Sequence, residues 1–331
     1  MKWLDQKLTA IRNDGYTPSD FIIADAKDGD MGGGVPAPGP VESGGTKYKK
    51  LADYLEAMRR MTRSDLVDVM LMSASCAEVL VDEGLFEDSA VTPAIRLNDT
   101  TDIWGPRGSI YKSQPSLPFA TASLAHARAL TDLGLYSVTF TNDSERDAHA
   151  LACYADFREQ AEEVGMRHFL EVFNPNVDVG IAREGIGDYV NDCILKALAG
   201  ITSAERPLFL KMVYNGPRAL EDLASYDPTG LIVGILGGAA GTTRDTFELV
   251  GQGAKYGARV ALFGRKINLA EAPELLVGLM RRVVEGDATP EDAVRQYHEG
   301  LEKAGLAKAG LAPARALEDD LQITEDVLKQ G

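Results

Sequence analysis

One lysine stands in the middle of the apolar segment 207–214 (PLFLKMVY), and its side chain is the strongest candidate in the chain for covalent chemistry. The segment is bounded by Pro207 and by 215–217 (Asn-Gly-Pro), which predicts a short strand buried on both faces. Burial disfavours an ammonium ion, so we expect Lys211 to exist partly as a free amine that can attack a carbonyl carbon. The alternative is a lysine at a strand end whose ammonium group reaches the solvent.

A glutamate occupies an equivalent position one strand–helix unit earlier. Glu171 lies in the apolar segment 167–173, about as deep in its predicted strand as Lys211 is in its own. Neighbouring strands lie about 4.8 Å apart, so the two side chains meet if they face the same side in the same layer. The pair would supply an amine nucleophile and a carboxylate that moves protons while a carbinolamine forms and collapses. A buried structural ion pair is the alternative.

Glycines and an arginine in the last third of the chain are suited to binding an anion. They are Gly237, Gly238 and Gly241 after segment 230–236, and Gly264 and Arg265 after segment 259–263. Glycines let backbone N–H groups approach a phosphate closely, and Thr242 or Thr243 caps the following helix, whose N-terminus adds positive potential. A guanidinium holds phosphate through two parallel hydrogen bonds. Together these residues predict a phosphate site.

Short apolar segments alternate with amphipathic ones along the chain. The predicted strands are 21–25, 66–72, 91–97, 136–141, 167–173, 207–214, 230–236 and 259–263, and the predicted helices that follow them are 47–62, 75–83, 121–133, 144–164, 187–199, 218–225, 243–256 and 272–285. Eight such units favour an α/β fold of the (β/α)8 TIM-barrel type, with extra helices at 2–13 and 290–303. A doubly wound sheet is disfavoured because no Gly-x-Gly-x-x-Gly turn follows the first strand. In a TIM barrel the active site lies at the C-terminal ends of the strands, and phosphate commonly binds after strands seven and eight.

We expect a single barrel domain over residues 1–331 that carries two unusual segments. Residues 29–46 form a Gly/Pro-rich loop, too rich in these residues for helix or strand, and residues 312–331 form an acidic helical tail. The loop is either a mobile surface segment or a lid over the end of the first strand. A second long connection, 98–118, carries Arg107 and Lys112.

Composition excludes several classes of partner and compartment. The formal net charge of −16 argues against nucleic acid or an anionic membrane as a partner. No apolar run approaches the roughly 18 residues that span a bilayer, and the N-terminus lacks the apolar core of a signal peptide. We therefore expect a cytoplasmic protein. The three cysteines are odd in number and widely spaced, which predicts reduced thiols.

The histidines do not form the pattern of a catalytic metal site. They fall on predicted helices or at the start of a strand, away from the C-terminal ends of the strands: His126, His149, His168 and His298. A metal-dependent aldolase would need several histidines at those ends, so we expect neither a metal nor another cofactor. A magnesium site built only from carboxylates stays open, because Asp25, Asp28 and Asp30 cluster after the first strand.

Three segments together resemble a known family. Segments 209–216 (FLKMVYNG), 237–238 (Gly-Gly) and 261–267 (ALFGRKI) resemble the class I aldolases of the archaeal-type fructose-bisphosphate and tagatose-bisphosphate group. The resemblance is firm from about residue 171 to 301. It implies a (β/α)8 barrel that cleaves ketose phosphates through a lysine Schiff base without metal. It makes Lys211 the Schiff-base lysine and implies these phosphate ligands: Gly237, Gly238, Gly264 and Arg265.

Two further segments extend the resemblance. Segment 168–171 resembles the tagatose-bisphosphate branch, which implies that Glu171 handles protons. Segment 24–27 loosely resembles a strand-one motif that begins with a substrate-binding aspartate, which implies Asp25 as a ligand and Lys27 as a further candidate. Tyr214 is a further candidate for proton transfer.

The chain departs from the family at three places. Segment 138–141 lacks the strand-four lysine of tagatose-type enzymes, segment 172–175 (VFNP) lacks the tyrosine acid of fructose-type enzymes, and the loop 29–46 is foreign to the pattern. Substrates other than hexose bisphosphates therefore stay open. The sequence predicts a metal-independent Schiff-base aldolase that acts reversibly on a phosphorylated ketose or related sugar phosphate, and we expect it to be a homo-oligomer. The alternative is a regulatory barrel that binds sugar phosphates with little turnover.

Overall fold

Eight parallel strands close into a barrel in the computed structural model of the chain, which describes residues 2–41, 45–239 and 241–306. The strands are β1 (Ile22–Lys27), β2 (Val69–Met72), β3 (Thr92–Arg96), β4 (Asp99–Thr100), β5 (Pro118–Phe119), β6 (Leu133–Thr139), β7 (Arg167–Phe173), β8 (Leu210–Met212), β9 (Gly234–Leu236) and β10 (Val260–Phe263). The order around the barrel is β1-β10-β9-β8-β7-β6-β3-β2, closed by pairing of β2 with β1, while β4 and β5 form a separate two-stranded sheet. The predicted (β/α)8 fold class is confirmed.

Helices surround the barrel in the expected alternation. They are α1 (Trp3–Arg12), α2 (Gly29–Gly33), α3 (Leu51–Arg63), α4 (Ala74–Asp82), α5 (Leu124–Leu130), α6 (Ser144–Val164), α7 (Ile186–Ala199), α8 (Pro217–Tyr226), α9 (Thr243–Lys255), α10 (Arg265–Asn268), α11 (Pro273–Glu285) and α12 (Pro290–Lys303). The bounds of α6, α12 and β7 agree with the predicted ones. Across the described ranges, none of the helices is long and apolar enough to cross a membrane.

The strands bury an inner and an outer apolar layer. The inner layer fills the barrel and includes Ala24, Phe169 and Phe209, whose two aromatic rings stack with centroids 4.6 Å apart. Helix α1 joins this layer through Leu4, Leu8 and Ile11 and so closes the end of the barrel where the strands begin. The outer layer lies between the strands and the helices. Both faces of each strand are therefore buried, as the continuous apolar segments predicted.

The loop 29–46 differs from its prediction, because it begins with the short helix α2. Glycines disfavour helix by about 1 kcal/mol each, and tertiary contacts offset this cost. The carbonyl of Gly32 accepts a hydrogen bond of 2.7 Å from the N–H of Gly105, which lies in the second long connection. A side chain at Gly32 would lie 3.3 Å from the carbonyl oxygen of Ile103, so the two segments approach closely.

Several strands are shorter than predicted, β8 and β9 most of all. β8 spans Leu210–Met212 within segment 207–214, and β9 spans Gly234–Leu236 within segment 230–236. The start of the second segment is taken up by a turn in which Asp227 accepts a hydrogen bond of 3.0 Å from the N–H of Gly230. Local side chain to backbone bonding competes with the strand there. The predicted acidic tail at 312–331 lies outside the described residues.

Candidate active site

A cavity of about 500 Å³ opens at the C-terminal ends of the barrel strands. Six of the residues predicted for the site line it: Glu171, Lys211, Gly237, Gly238, Gly264 and Arg265. The cavity is also lined by side chains that were not predicted for the site: Tyr54, Arg96, Asp99, Asp102 and Lys112. It lies where TIM barrels carry their active sites.

Lys211 and Glu171 meet at the floor of this cavity. The two residues are register partners in the parallel ladder between β7 and β8, so they lie side by side in one layer of the barrel interior. The Nζ atom of Lys211 is 2.6 Å from Oε1 of Glu171. Their exposed fractions are 5% and 1%. A lysine that snorkels to solvent is therefore ruled out, and the nucleophile candidate has a proton acceptor in direct contact.

Arg96 holds the other oxygen of Glu171. It is the last residue of β3, and its Nη2 atom donates to Oε2 of Glu171 at 2.8 Å. The hydroxyl of Ser137 donates to the same oxygen at 2.8 Å. The Nε atom of Arg96 donates to a carboxylate oxygen of Asp28, the residue that follows β1. One guanidinium thus fixes two carboxylates, and Glu171 keeps two donors besides Lys211.

The network sets the charge states of its carboxyl groups in opposite directions. Burial alone would raise the pKa of Asp28, but the positive charges of Arg96 and Lys211 outweigh it and hold that pKa below the usual range. Burial prevails at Asp99 and raises its pKa to about 6, although Arg96 opposes it. Burial would lower the pKa of Arg96, and the surrounding carboxylates raise it above its usual value instead. Asp28 is thus a permanent anion near neutral pH, whereas Asp99 titrates close to it.

The predicted strand-one ligand, Asp25, does not line the cavity. It shares the outward face of β1 with Ile23, which packs in the outer layer, whereas Ala24 and Ala26 face the interior. The ammonium of Lys27 donates to both oxygens of Asp25, at 2.6 and 2.7 Å, and both residues are buried. Burial raises the pKa of Asp25 despite that ammonium. The aspartate of this segment that reaches the cavity is Asp28.

Tyr214 also faces away from the cavity. It packs in the outer layer with Leu210 and Met212, and its hydroxyl is buried without a hydrogen-bond partner among the described residues. Burial raises the pKa of the Tyr214 phenol. The residue has the opposite parity to Lys211, so the two side chains leave β8 and its extension on opposite faces. Tyr214 therefore does not line the cavity beside Lys211.

The residues predicted to bind phosphate gather on the loops after β9 and β10. Gly238 has φ of 65°, a conformation that glycine adopts without strain. A side chain at Gly264 would lie 2.8 Å from the carbonyl oxygen of Ala26 in β1. The guanidinium of Arg265 is exposed and makes no ion pair within the described ranges. These groups form an electropositive side of the cavity with a cation free to bind an anion.

The Gly/Pro-rich loop covers part of the cavity. Gly32, Gly33, Pro36 and Ala37 line it from above. The carbonyl of Ala37 accepts a hydrogen bond of 3.1 Å from the side chain of Asn268, the last residue of α10. Of the two predicted roles, mobile surface segment or lid, these contacts favour a cover over the cavity.

Sequence reasoning missed Arg96, although a signal was present. Arg96 is a charged residue inside the apolar segment 91–97 (VTPAIRL), which is the same pattern that singled out Glu171 and Lys211. Asp99 and Asp102 gave no such signal, because they lie in a long connection without periodicity. Their places depend on β4 and β5, which no apolar alternation predicted.

The positions of the histidines bear on whether the site binds a metal ion. His168 lies at the start of β7, where its Nε2 atom and the hydroxyl of Tyr154 are 2.8 Å apart. Burial lowers the pKa of His168 to about 3. Over the residues that the structure describes, no group of three or more His, Cys, Asp or Glu side chains is arranged to hold a metal ion.

Fold and site together define a TIM barrel with a buried lysine–carboxylate pair at the C-terminal ends of adjacent strands. Solved Schiff-base aldolases resemble it in fold. A Schiff-base-forming fructose-1,6-bisphosphate aldolase, solved to analyse reaction intermediates, has a TM-score of 0.61 and 16% identity over 85% of this chain and 99% of its own. An archaeal fructose-1,6-bisphosphate aldolase with its catalytic lysine covalently bound to the carbinolamine intermediate has a TM-score of 0.58 and 16% identity over 86% and 100%.

A bacterial structure belongs to the same set. The fructose-bisphosphate aldolase from Slackia heliotrinireducens has a TM-score of 0.61 and 13% identity over 88% of both chains. No protein-family model and no curated protein matches the chain. At these identities the comparisons show a similarity of fold. This similarity agrees with the family that segments 209–216 and 261–267 resemble.

Proposed function

We propose that the chain is a class I aldolase that reversibly cleaves a carbon–carbon bond of a phosphorylated ketose or related sugar phosphate through a Schiff base on Lys211. The contact of 2.6 Å between Nζ of Lys211 and Oε1 of Glu171 carries this proposal. It joins a nucleophile to a proton acceptor in a cavity that Arg265 also lines. The names of the fold neighbours, which describe Schiff-base aldolases, support the same chemistry.

The first half of the reaction builds the Schiff base. Lys211 gives a proton to Glu171, and the resulting amine attacks the keto carbon while Glu171 passes that proton to the carbonyl oxygen. Glu171 then takes the extra proton from the nitrogen of the carbinolamine and gives it to the hydroxyl group, which leaves as water, and an iminium ion remains. Arg96 and Ser137 hold the carboxylate in place throughout, since both donate to its other oxygen.

The second half breaks the bond. A carboxylate removes the proton of the hydroxyl group on the carbon β to the iminium carbon, and the bond between the α and β carbons breaks. Its electron pair moves to the iminium and gives an enamine, while the β carbon leaves as an aldehyde. Protonation of the enamine and addition of water release the ketone and restore the amine. Glu171 is the carboxylate we assign to these transfers.

The phosphate group anchors the ketose at the loops that follow β9 and β10. Arg265 supplies a guanidinium, and the backbone N–H groups near Gly238 and Gly264 lie along the same wall. Binding energy from a phosphate that does not react holds the keto carbon next to Lys211. No step of this mechanism requires a metal ion.

Borohydride reduction tests the Schiff base directly. We expect incubation with dihydroxyacetone phosphate and borohydride to attach a reduced adduct to Lys211, located by peptide mass spectrometry. Lys211→Met is the matched control, because an unbranched apolar side chain fits the buried position and Glu171 keeps Arg96 and Ser137 as partners. The regulatory alternative predicts binding of the same sugar phosphate without an adduct, and turnover in a folded Lys211→Met variant would remove Lys211 from the mechanism.

Metal independence has its own test. We expect cleavage activity to survive excess EDTA, because the lysine and the carboxylate supply both functions that a metal would otherwise provide. A complete loss that Mg²⁺ reverses would favour the carboxylate site around Asp28 and Asp30.

A further inference from the structure

The wall of the cavity formed by residues after β1 and β3 is rich in hydrogen-bond acceptors. Asp28 follows β1, and Asp99 and Asp102 lie in and after β4, in the connection that follows β3. All three carboxyl groups are buried and line the cavity. Asp28 follows β1, the strand next to β10, which precedes Arg265, whereas Asp99 and Asp102 follow β3, three strands from β10 in the barrel order.

The donors near this wall are already engaged. Arg96 donates to Asp28 and Glu171, and its Nη1 atom lies 3.6 Å from Asp99. Ser116 donates to Asp102 at 2.8 Å, and Thr139 donates to the same carboxylate at 3.2 Å. One guanidinium therefore serves three carboxylates, and the donors to Asp102 among the described residues are hydroxyl groups.

A buried oxygen of Asp99 indicates that this wall of the cavity binds a ligand. The exposed fraction of Asp99 is 1%, and its Oδ2 atom has no hydrogen-bond donor among the described residues. A buried carboxylate oxygen without a donor is costly and is rare in native structures. Because Asp99 lines the cavity, a ligand group that donates a hydrogen bond would satisfy this oxygen. A phosphate cannot do so as a dianion, and three carboxylates would repel it.

We propose that Asp28, Asp99 and Asp102 form a subsite for the hydroxyl groups of the aldehyde half of the substrate, so that the substrate is a polyhydroxy ketose with one phosphate, located at the ketone end. This inference rests on the proposed aldolase function and narrows its substrate class. The rival is a second phosphate held by Lys112, whose exposed side chain lies at the rim of the cavity beside Gly105.

The condensation direction separates the two substrate classes. Dihydroxyacetone phosphate serves as the ketone, and D-glyceraldehyde and D-glyceraldehyde 3-phosphate serve as competing aldehydes. We expect kcat/KM to favour the unphosphorylated aldehyde by about tenfold or more, since a site built to bind hydroxyl groups discriminates strongly. Asp99→Asn should bring the ratio of the two kcat/KM values close to one. Asp102→Asn is the second variant, for use if Asp99→Asn does not fold, and it should lower the same ratio.

Two variants serve as matched controls. Asp30→Asn changes a nearby acidic residue whose carboxylate accepts from Ser73 and does not line the cavity, so the aldehyde preference should stay unchanged. Lys112→Met should also leave the preference unchanged. A wild-type preference for the phosphorylated aldehyde that Lys112→Met abolishes would establish the rival site, and equal use of both aldehydes would overturn the subsite as well.

The borohydride adduct distinguishes failure of the subsite from failure of the aldolase assignment. An adduct with dihydroxyacetone phosphate combined with a preference for the phosphorylated aldehyde overturns the subsite alone. Absence of any adduct in the folded wild-type protein overturns both.

Discussion

Glu171 has three polar neighbours, and each fixes a different part of its behaviour. Lys211 contacts Oε1, while Arg96 and Ser137 donate to Oε2. The second oxygen is thus held by groups that do not react, and the first is left for proton exchange with the amine. This division is what a general acid–base carboxylate needs, since its position has to stay fixed while its protonation changes.

We expect Glu171→Gln to lower kcat by roughly 10²–10⁴, the usual contribution of general acid–base catalysis. The amide keeps the size of the side chain and can still accept from Arg96, but it cannot take a proton from Lys211. Binding of sugar phosphate through Arg265 should change little. Single-turnover cleavage and titration calorimetry separate the two effects. If the variant binds weakly yet cleaves at the wild-type rate, Glu171 is a ligand, and Asp28 becomes the better candidate for the base.

The buried pair of Asp25 and Lys27 should matter for stability and not for turnover. We expect Asp25→Leu to lower the free energy of unfolding by about 3–5 kcal/mol, because it leaves the ammonium of Lys27 buried without a counterion. The double variant Asp25→Leu/Lys27→Met should be close to wild type in urea unfolding, since a buried pair is often replaceable by apolar residues. Both folded variants should retain kcat. Loss of sugar-phosphate binding at unchanged stability would instead restore Asp25 as a ligand.

Among the elements, α10 depends on one close contact with the barrel. Gly264 precedes α10 and lies against β1, where a Cβ atom would be 2.8 Å from the backbone oxygen of Ala26. Backbone cannot yield as a flexible side chain does, so a larger residue would displace the start of α10 and with it Arg265.

We therefore expect Gly264→Ala to weaken binding of sugar phosphate by roughly tenfold, the equivalent of about 1.4 kcal/mol. Gly278→Ala is the matched control, because this glycine lies inside α11 with open space around its Cβ position. It should raise the free energy of unfolding by about 0.5–1 kcal/mol and leave binding unchanged. Equal effects of both substitutions on binding would show that α10 does not position the phosphate group.

The elements also show how far sequence reasoning reaches. Glu171 and Lys211 lie at similar depth in segments 167–173 and 207–214, which predicted that they meet if they face the same side, and the ladder between β7 and β8 pairs them. In β1 every residue is buried, so apolar alternation carries no information about which face turns inward. The choice between Asp25 and Asp28 depended on that face, and only the closed barrel decides it.

For the whole molecule, we expect the free energy of unfolding to depend on pH through the protonation of Asp99. Its pKa of about 6 lies above the ordinary aspartate value, so the folded chain takes up this proton before the unfolded chain does as pH falls. The contribution of Asp99 to the free energy of unfolding therefore rises as pH falls through about 6, and it is complete below about 4.

Asp99→Asn removes this charge permanently. We expect the variant to exceed the wild type in free energy of unfolding by up to about 3 kcal/mol at pH 8, and the difference should disappear near pH 4. Urea unfolding at pH 8, 6 and 4 measures it. A difference that does not depend on pH would show that Asp99 does not titrate in this range.

Strand β1 and the residue after it place ionisable groups on both sides of the barrel wall: Asp28 lines the cavity, and Asp25 with Lys27 lies outside. A slip of β1 by a single residue would exchange the two faces of the strand. Lys27 would then take the place of Ala26, which lines the cavity, and the carboxylate of Asp25 would take the place of Ala24 in the apolar interior of the barrel. In an alignment of sequences alone Asp25 and Asp28 look equivalent, although Asp25 is buried outside the barrel with Lys27 and Asp28 lines the cavity.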